Sequence, residues 1–120
     1  MNFTYLNNFP KLNKLSEYCK EAEDFVISNP SISATCARRA MEYIVKMIYS
    51  SIVADDSGLT VFEMVTDSSF IEYIDDSTLI NTIHYIRKMG NVAVHDGGLT
   101  QDESKKILEE LHFLEYLKSY

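Results

Sequence analysis

Apolar residues recur along this chain at alternating steps of three and four, the spacing of one face of an α-helix. Leu12, Leu15, Cys19, Ala22 and Val26 form such a stripe. It opens after Pro10, a first-turn proline, and stops at Asn29-Pro30. A second stripe follows the cap candidates Ser31 and Ser33, with Ala37, Met41, Ile44, Ile48 and Ile52 on one face and Ala34, Ala40 and Met47 widening it. That breadth predicts a central helix, closed by the turn residues Asp55-Asp56-Ser57-Gly58. The residues before Pro10 keep no period and are expected to pack as an extended arm.

Three later starts carry a hydroxyl residue followed three positions on by Glu: Thr60 with Glu63, Ser69 with Glu72, and Thr100 with Glu103. In each pair the hydroxyl can accept a first-turn N–H while the carboxylate reaches back to the cap's own N–H. The first two predict short helices over 60–67 and 69–75. Asp76 or Ser77 then caps a longer helix in which Leu79, Ile83 and Ile86 face inward, and Gly90 is expected to end it as a left-handed residue. The last helix is predicted from about Gln101 to Lys118, on Ile107, Leu111 and Leu114 with Leu108 and Leu117 beside them. No segment alternates as a strand does, and Asn91-Val92-Ala93-Val94 is too short and isolated to build a sheet. The expected fold class is all-α: an irregular bundle of four main helices plus two short ones, forming a single domain over residues 1–120.

Composition narrows the class. With 120 residues, Pro 2 and Gly 4, the chain has the length for one core and little material for linkers. No run of about 18 apolar residues and no signal-peptide pattern occurs, so the expected location is the cytoplasm, away from membranes. Cys19 and Cys36 sit inside helical patterns and read as buried thiols. The net charge of −7 is uneven: six basic and five acidic residues up to Tyr49, then five basic against thirteen acidic. A field of that sign repels phosphate at long range, so a nucleic-acid contact has to be local and carried by a few cations.

Candidate chemistry is sparse. His84, His95 and His112 lack paired metal-ligand spacing, no His-Glu-x-x-His or Cys-x-x-Cys occurs, and Gly97-Gly98 is not followed by the Lys-Ser or Lys-Thr of a phosphate loop. Neither a metal nor a cofactor is expected. In the second helix, Arg38 and Glu42 stand four apart, with Arg39 and Lys46 adjacent. This is either a solvated ion pair or an arginine held beneath a functional surface. The densest segment runs from Arg87 to His95. Taken singly, Arg87 and Lys88 complement a helix C-terminus, Asn91 is turn chemistry and His95 is a structural histidine. Taken together, they gather a guanidinium, an amide and an imidazole, which is what a phosphodiester site requires.

Asn2-Phe3-Thr4-Tyr5-Leu6 with Phe9-Pro10, then Asn29-Pro30 leading to Arg38-Arg39-Ala40-Met41-Glu42, and above all Ile86-Arg87-Lys88-Met89-Gly90-Asn91-Val92-Ala93-Val94-His95, carry a resemblance over nearly the whole chain. They resemble the helical domain at the N-terminus of type I restriction enzyme R subunits and related helicase-like proteins, itself similar to the HEPN superfamily. The resemblance implies a HEPN-like bundle that forms the N-terminal part of a longer protein. It further implies a non-enzymatic module contacting other subunits or domains of a restriction or other nucleic-acid-processing complex, with a weak local nucleic-acid contact and self-association. The alternative it implies is a metal-independent endoribonuclease or toxin with His95 as base, Arg87 stabilising the phosphate and Asn91 between them. On this reading Arg38, Arg39, Arg87 and Lys88 are the phosphate-binding candidates, with Glu42 and Gly90 supporting. Ribonuclease members of that superfamily carry an arginine five positions before the histidine; here Gly90 holds that place.

Overall fold

The computed structural model describes residues 13–53, 58–95 and 98–115, and of His95 the backbone alone. The first stripe becomes α1 (Asn13–Phe25), which buries Leu15, Cys19 and Ala22. Leu12 and the expected N-terminal arm lie outside the described residues. The second becomes α2 (Pro30–Ile52), twenty-three residues that bury Ala34, Ala37, Ala40, Met41, Ile44, Val45, Ile48 and Tyr49. Its cap is Asn29 rather than Ser31 or Ser33: the Asn29 side chain accepts from the Ile32 N–H at 3.2 Å, and Pro30 takes the first turn, where no N–H is needed. Ser33 serves packing instead, its hydroxyl donating to the Ala22 carbonyl at 2.6 Å and tying α2 to α1.

Two short helices follow, α3 (Val61–Thr66) and α4 (Ser68–Ile74). Both arms of the Thr60–Glu63 capping box are made, at 3.1 and 2.9 Å. The expected Ser69–Glu72 box is not the start of α4. Asp67 caps that helix, accepting from the Ser69 N–H at 2.8 Å, and its other oxygen accepts from the Tyr49 hydroxyl at 2.7 Å. A carboxylate shared by a cap and a buried tyrosine anchors the short pair to α2, and these hydrogen bonds hold Asp67 below the usual carboxylate range. Asp75 closes α4 in the left-handed region at φ 49°.

Asp76 then starts α5 (Ser77–His95), accepting from the Thr78 and Leu79 N–H groups. The largest departure from the predicted elements lies here. Gly90 does not end the helix; α5 runs through it and includes Asn91, Val92, Ala93 and Val94. Arg87 and Lys88 therefore lie two turns before the C-terminus rather than at it, and Asn91 is a helical residue rather than a turn residue. The physical reason is packing. A Cβ built on Gly90 would stand 2.6 Å from Arg38 Cβ, 2.7 Å from Cδ and 2.9 Å from Cγ, so the glycine is the gap into which the Arg38 stem fits. The chain closes with α6 (Gln101–Leu114), whose Thr100–Glu103 capping box is complete and which buries Ile107, Leu108, Leu111 and Leu114. Leu117 and Lys118 lie outside the described residues.

Among the described residues all regular structure is helical, and no helix is long and apolar enough to cross a membrane. α2 is the hub, packed by α1, α5 and α6, with α3 and α4 at its C-terminal half. Thr82 on α5 donates to Glu110 on α6 at 2.9 Å, and Gln101 donates to the Ile27 carbonyl at 3.1 Å.

Gly90→Ala gives this packing a test of sign. An ordinary helix-interior glycine gains roughly 0.5–1 kcal/mol on conversion to alanine. Here the added methyl meets Arg38 Cβ, an atom fixed to the α2 backbone, so a loss of about 1–3 kcal/mol is expected from the forced shift of α2 against α5, measured by urea denaturation.

Candidate functional site

The sequence candidates fall on two facing helices. Arg38, Arg39 and Glu42 come from α2; Arg87, Lys88, Gly90, Asn91 and His95 come from α5. The structure brings four of them together. The Arg38 stem crosses Gly90, and its Nη1 donates to Asn91 Oδ1 at 2.5 Å. Its Nε faces Glu42 Oε2 at the looser distance of 3.8 Å; that nitrogen is buried and has no hydrogen-bond partner. The Arg38 and Glu42 side chains are 26% and 28% exposed, so the guanidinium sits at the rim of the core rather than inside it. A partly hydrated arginine needs no full set of protein partners, which is why this arrangement is tolerable.

Arg87 is not part of that group. Its guanidinium lies over the Phe62 ring of α3, 4.9 Å from the centroid. Because α5 does not reverse at Gly90, Arg87 and His95 remain eight residues apart on one helix, about 12 Å along its axis at ~1.5 Å per residue. The chain reversal that would have folded Arg87 back toward His95 is absent. Helical register does place Asn91 and His95 one turn apart; the His95 side chain lies outside the described residues. Lys88 is exposed, and Arg39 is exposed beside a cleft of about 170 Å³ that it lines with Tyr18, Glu42, Tyr43 and Lys46.

The sequence pattern marks Arg38 but not its partner on α5, and it singles out nothing at Phe62. The spacing of Arg38 points to Glu42 or a phosphate, whereas the firm bond is to Asn91. The Phe62 ring also meets His84 edge-on, with centroids 6.4 Å apart and planes at 61°. Burial first, then the nearby Arg87 and Lys88 charges, hold His84 below the ordinary imidazole range.

Both cysteines are buried, as expected of thiols inside helical patterns. Cys19 Sγ donates to Glu115 at 3.7 Å and Cys36 Sγ to Glu21 at 3.4 Å. Burial and the Glu21 carboxylate push the Cys36 thiol up to about 11, so it stays protonated and a poor nucleophile at neutral pH. Among the described residues, no group of three or more His, Cys, Asp or Glu side chains is placed to hold a metal ion. No family model matches this chain, and no curated protein or solved structure matches it either.

Two measurements follow from this geometry. Asn91→Ala is expected to cost about 1–2 kcal/mol by removing the acceptor of a charged donor, and a double-mutant cycle with Arg38→Met, which keeps the stem, should return a coupling of about 1 kcal/mol. For His84 the folded state resists protonation. Stability is therefore whole above the ordinary imidazole value and falls as pH drops below it, when the unfolded chain takes up a proton that the folded chain refuses. Melting temperatures across a pH series should decline less steeply for His84→Gln than for the native chain.

Proposed function

We propose that this chain is a non-enzymatic helical interaction module of a nucleic-acid-processing system, of the kind its sequence resembles at the N-terminus of type I restriction enzyme R subunits. It makes contacts with other subunits or domains and a weak, local nucleic-acid contact. The observation that carries this reading is the commitment of its cations. Arg38 is clamped by Gly90, Asn91 and Glu42, and Arg87 is laid over Phe62. Catalysis on a phosphodiester needs a preorganised donor aimed at the developing charge, typically worth a hundredfold or more in rate. Here the guanidinium nearest Asn91 is spent on holding two helices together, and Arg87 stands two turns from His95.

One observation favours a second reading, a HEPN-type metal-independent ribonuclease with His95 as base. Arg38 arrives from α2 across Gly90, the position at which the resembling ribonucleases carry their arginine, and it ends on Asn91. On that reading a guanidinium from another helix would stand in for the one the local sequence lacks.

Incubation of the purified chain with single-stranded and structured RNAs, without metal, separates the two. The module reading expects no cleavage above that of a His95→Ala control. Cleavage that disappears in both His95→Ala and Arg38→Gln, with folding retained by circular dichroism, would overturn it in favour of the ribonuclease. Loss in Arg87→Gln but not Arg38→Gln would give the phosphate to Arg87 instead.

A further inference from the structure

Phe62 is a large apolar side chain left 50% exposed on a helix of six residues, yet it is not loose. The Thr60–Glu63 capping box fixes the turn that carries it, the Arg87 guanidinium covers one part of its ring at 4.9 Å, and the His84 ring abuts it edge-on at 6.4 Å. Arg87 Nε is buried without a hydrogen-bond partner, and Lys88, the next residue on α5, is exposed. An oriented aromatic ring with a guanidinium laid over part of it and an exposed lysine next along the same helix, on a chain that is otherwise acidic, is a combination that suits unpaired bases: stacking on the uncovered part of the ring supplies affinity that does not depend on base identity, and the cations hold the adjoining phosphates.

We propose that Phe62, His84 and Arg87 form a stacking subsite for one unpaired base of a single-stranded nucleic acid, with Arg87 and Lys88 holding its phosphates. This deepens the nucleic-acid contact of the proposed function and rests on that reading. A duplex is a poor occupant, because its bases are already stacked on one another and only its phosphates would face this surface. The ordinary alternative is that Arg87 over Phe62 merely fastens α3 to α5. The two differ in what an aromatic replacement retains and in whether a ligand is sensed at all.

The chain contains no tryptophan, so Phe62→Trp places a single indole at the subsite. Titration at low salt with short adenine oligonucleotides, ribo and deoxyribo, is expected to quench its emission to saturation, and a duplex of the same length is expected not to. In parallel, fluorescence anisotropy of labelled single strands should show Phe62→Leu weakening binding roughly five-fold to a hundredfold, the range that one lost stack of about 1–3 kcal/mol gives. Phe62→Tyr should bind as the native chain does. Absence of quenching by single strands, equal quenching by duplex, or unchanged binding by a folded Phe62→Leu overturns the subsite. If Phe62→Leu does not fold, the indole titration decides alone. Should the native chain bind no single strand, the subsite falls while the protein-contact module stands. Should the chain prove to be a His95-dependent ribonuclease, the module falls and the subsite must then appear as a raised KM in Phe62→Leu with kcat little changed.

Discussion

The close approach of α2 and α5 at Gly90 governs how every charged group nearby is used. A helix-interior glycine forgoes about 1 kcal/mol of helix propensity relative to alanine. In return the Arg38 stem lies directly on the α5 backbone, and each methylene so covered is worth up to about 0.8 kcal/mol, which more than offsets that loss even for a side chain only partly withdrawn from water. The stem fills the gap between helices and the head is carried past it. Because Cβ, Cγ and Cδ all bear on Gly90, the direction of the guanidinium follows from the packing, and Asn91, the next residue, is where it ends.

From that constraint the cations divide. Arg38 belongs to the α2–α5 seam, held by an amide on one helix and a carboxylate on its own. Arg87, one turn before Asn91, belongs to the α3–α5 seam, held by an aromatic face. Lys88 and Arg39 remain exposed. A chain with a net charge of −7 thus presents a few fixed positive points rather than a basic surface, and ionic attraction alone gives it little hold on nucleic acid at physiological salt.

Most of the helices were legible in the residue pattern because burial and periodicity coincide: Leu15, Cys19 and Ala22 on α1, Met41, Ile44 and Ile48 on α2, and Ile107, Leu111 and Leu114 on α6 all point where their spacing placed them. The capping boxes at Thr60 and Thr100 were legible because both partners lie within one turn. The Ser69–Glu72 pair misled because Asp67, two residues earlier, is the stronger acceptor and is also held by Tyr49. Gly90 misled because a glycine after a cationic pair has two meanings. The signal that separates them was present: Leu79, Ile83, Ile86, Gly90 and Ala93 continue the four-three spacing without a break, so the glycine lies on the buried stripe and marks a close contact rather than an end. Its partner was not legible. Nothing in the spacing of α2 says that Arg38, on a different helix far earlier in the chain, is the side chain that fills the gap.

The chemistry of Arg38's partners explains why a single side chain supports two readings. An amide orients a guanidinium without neutralising it, whereas a carboxylate in close bidentate contact would cancel its charge. Asn91 is in firm contact, and Glu42, at 3.8 Å from Nε, is not. Arg38 is therefore fixed in position while keeping much of its charge, and its side chain retains access to water. A cation in that state serves the fold by its stem and by its bond to Asn91, while the hydrated edge of its head is what an ionic contact would need. Binding an anion there and cleaving it are separate demands: the first asks only for a fixed cation, the second also for a group with a proton to move, and the helical register of α5 sets the backbone of His95 one turn beyond Asn91.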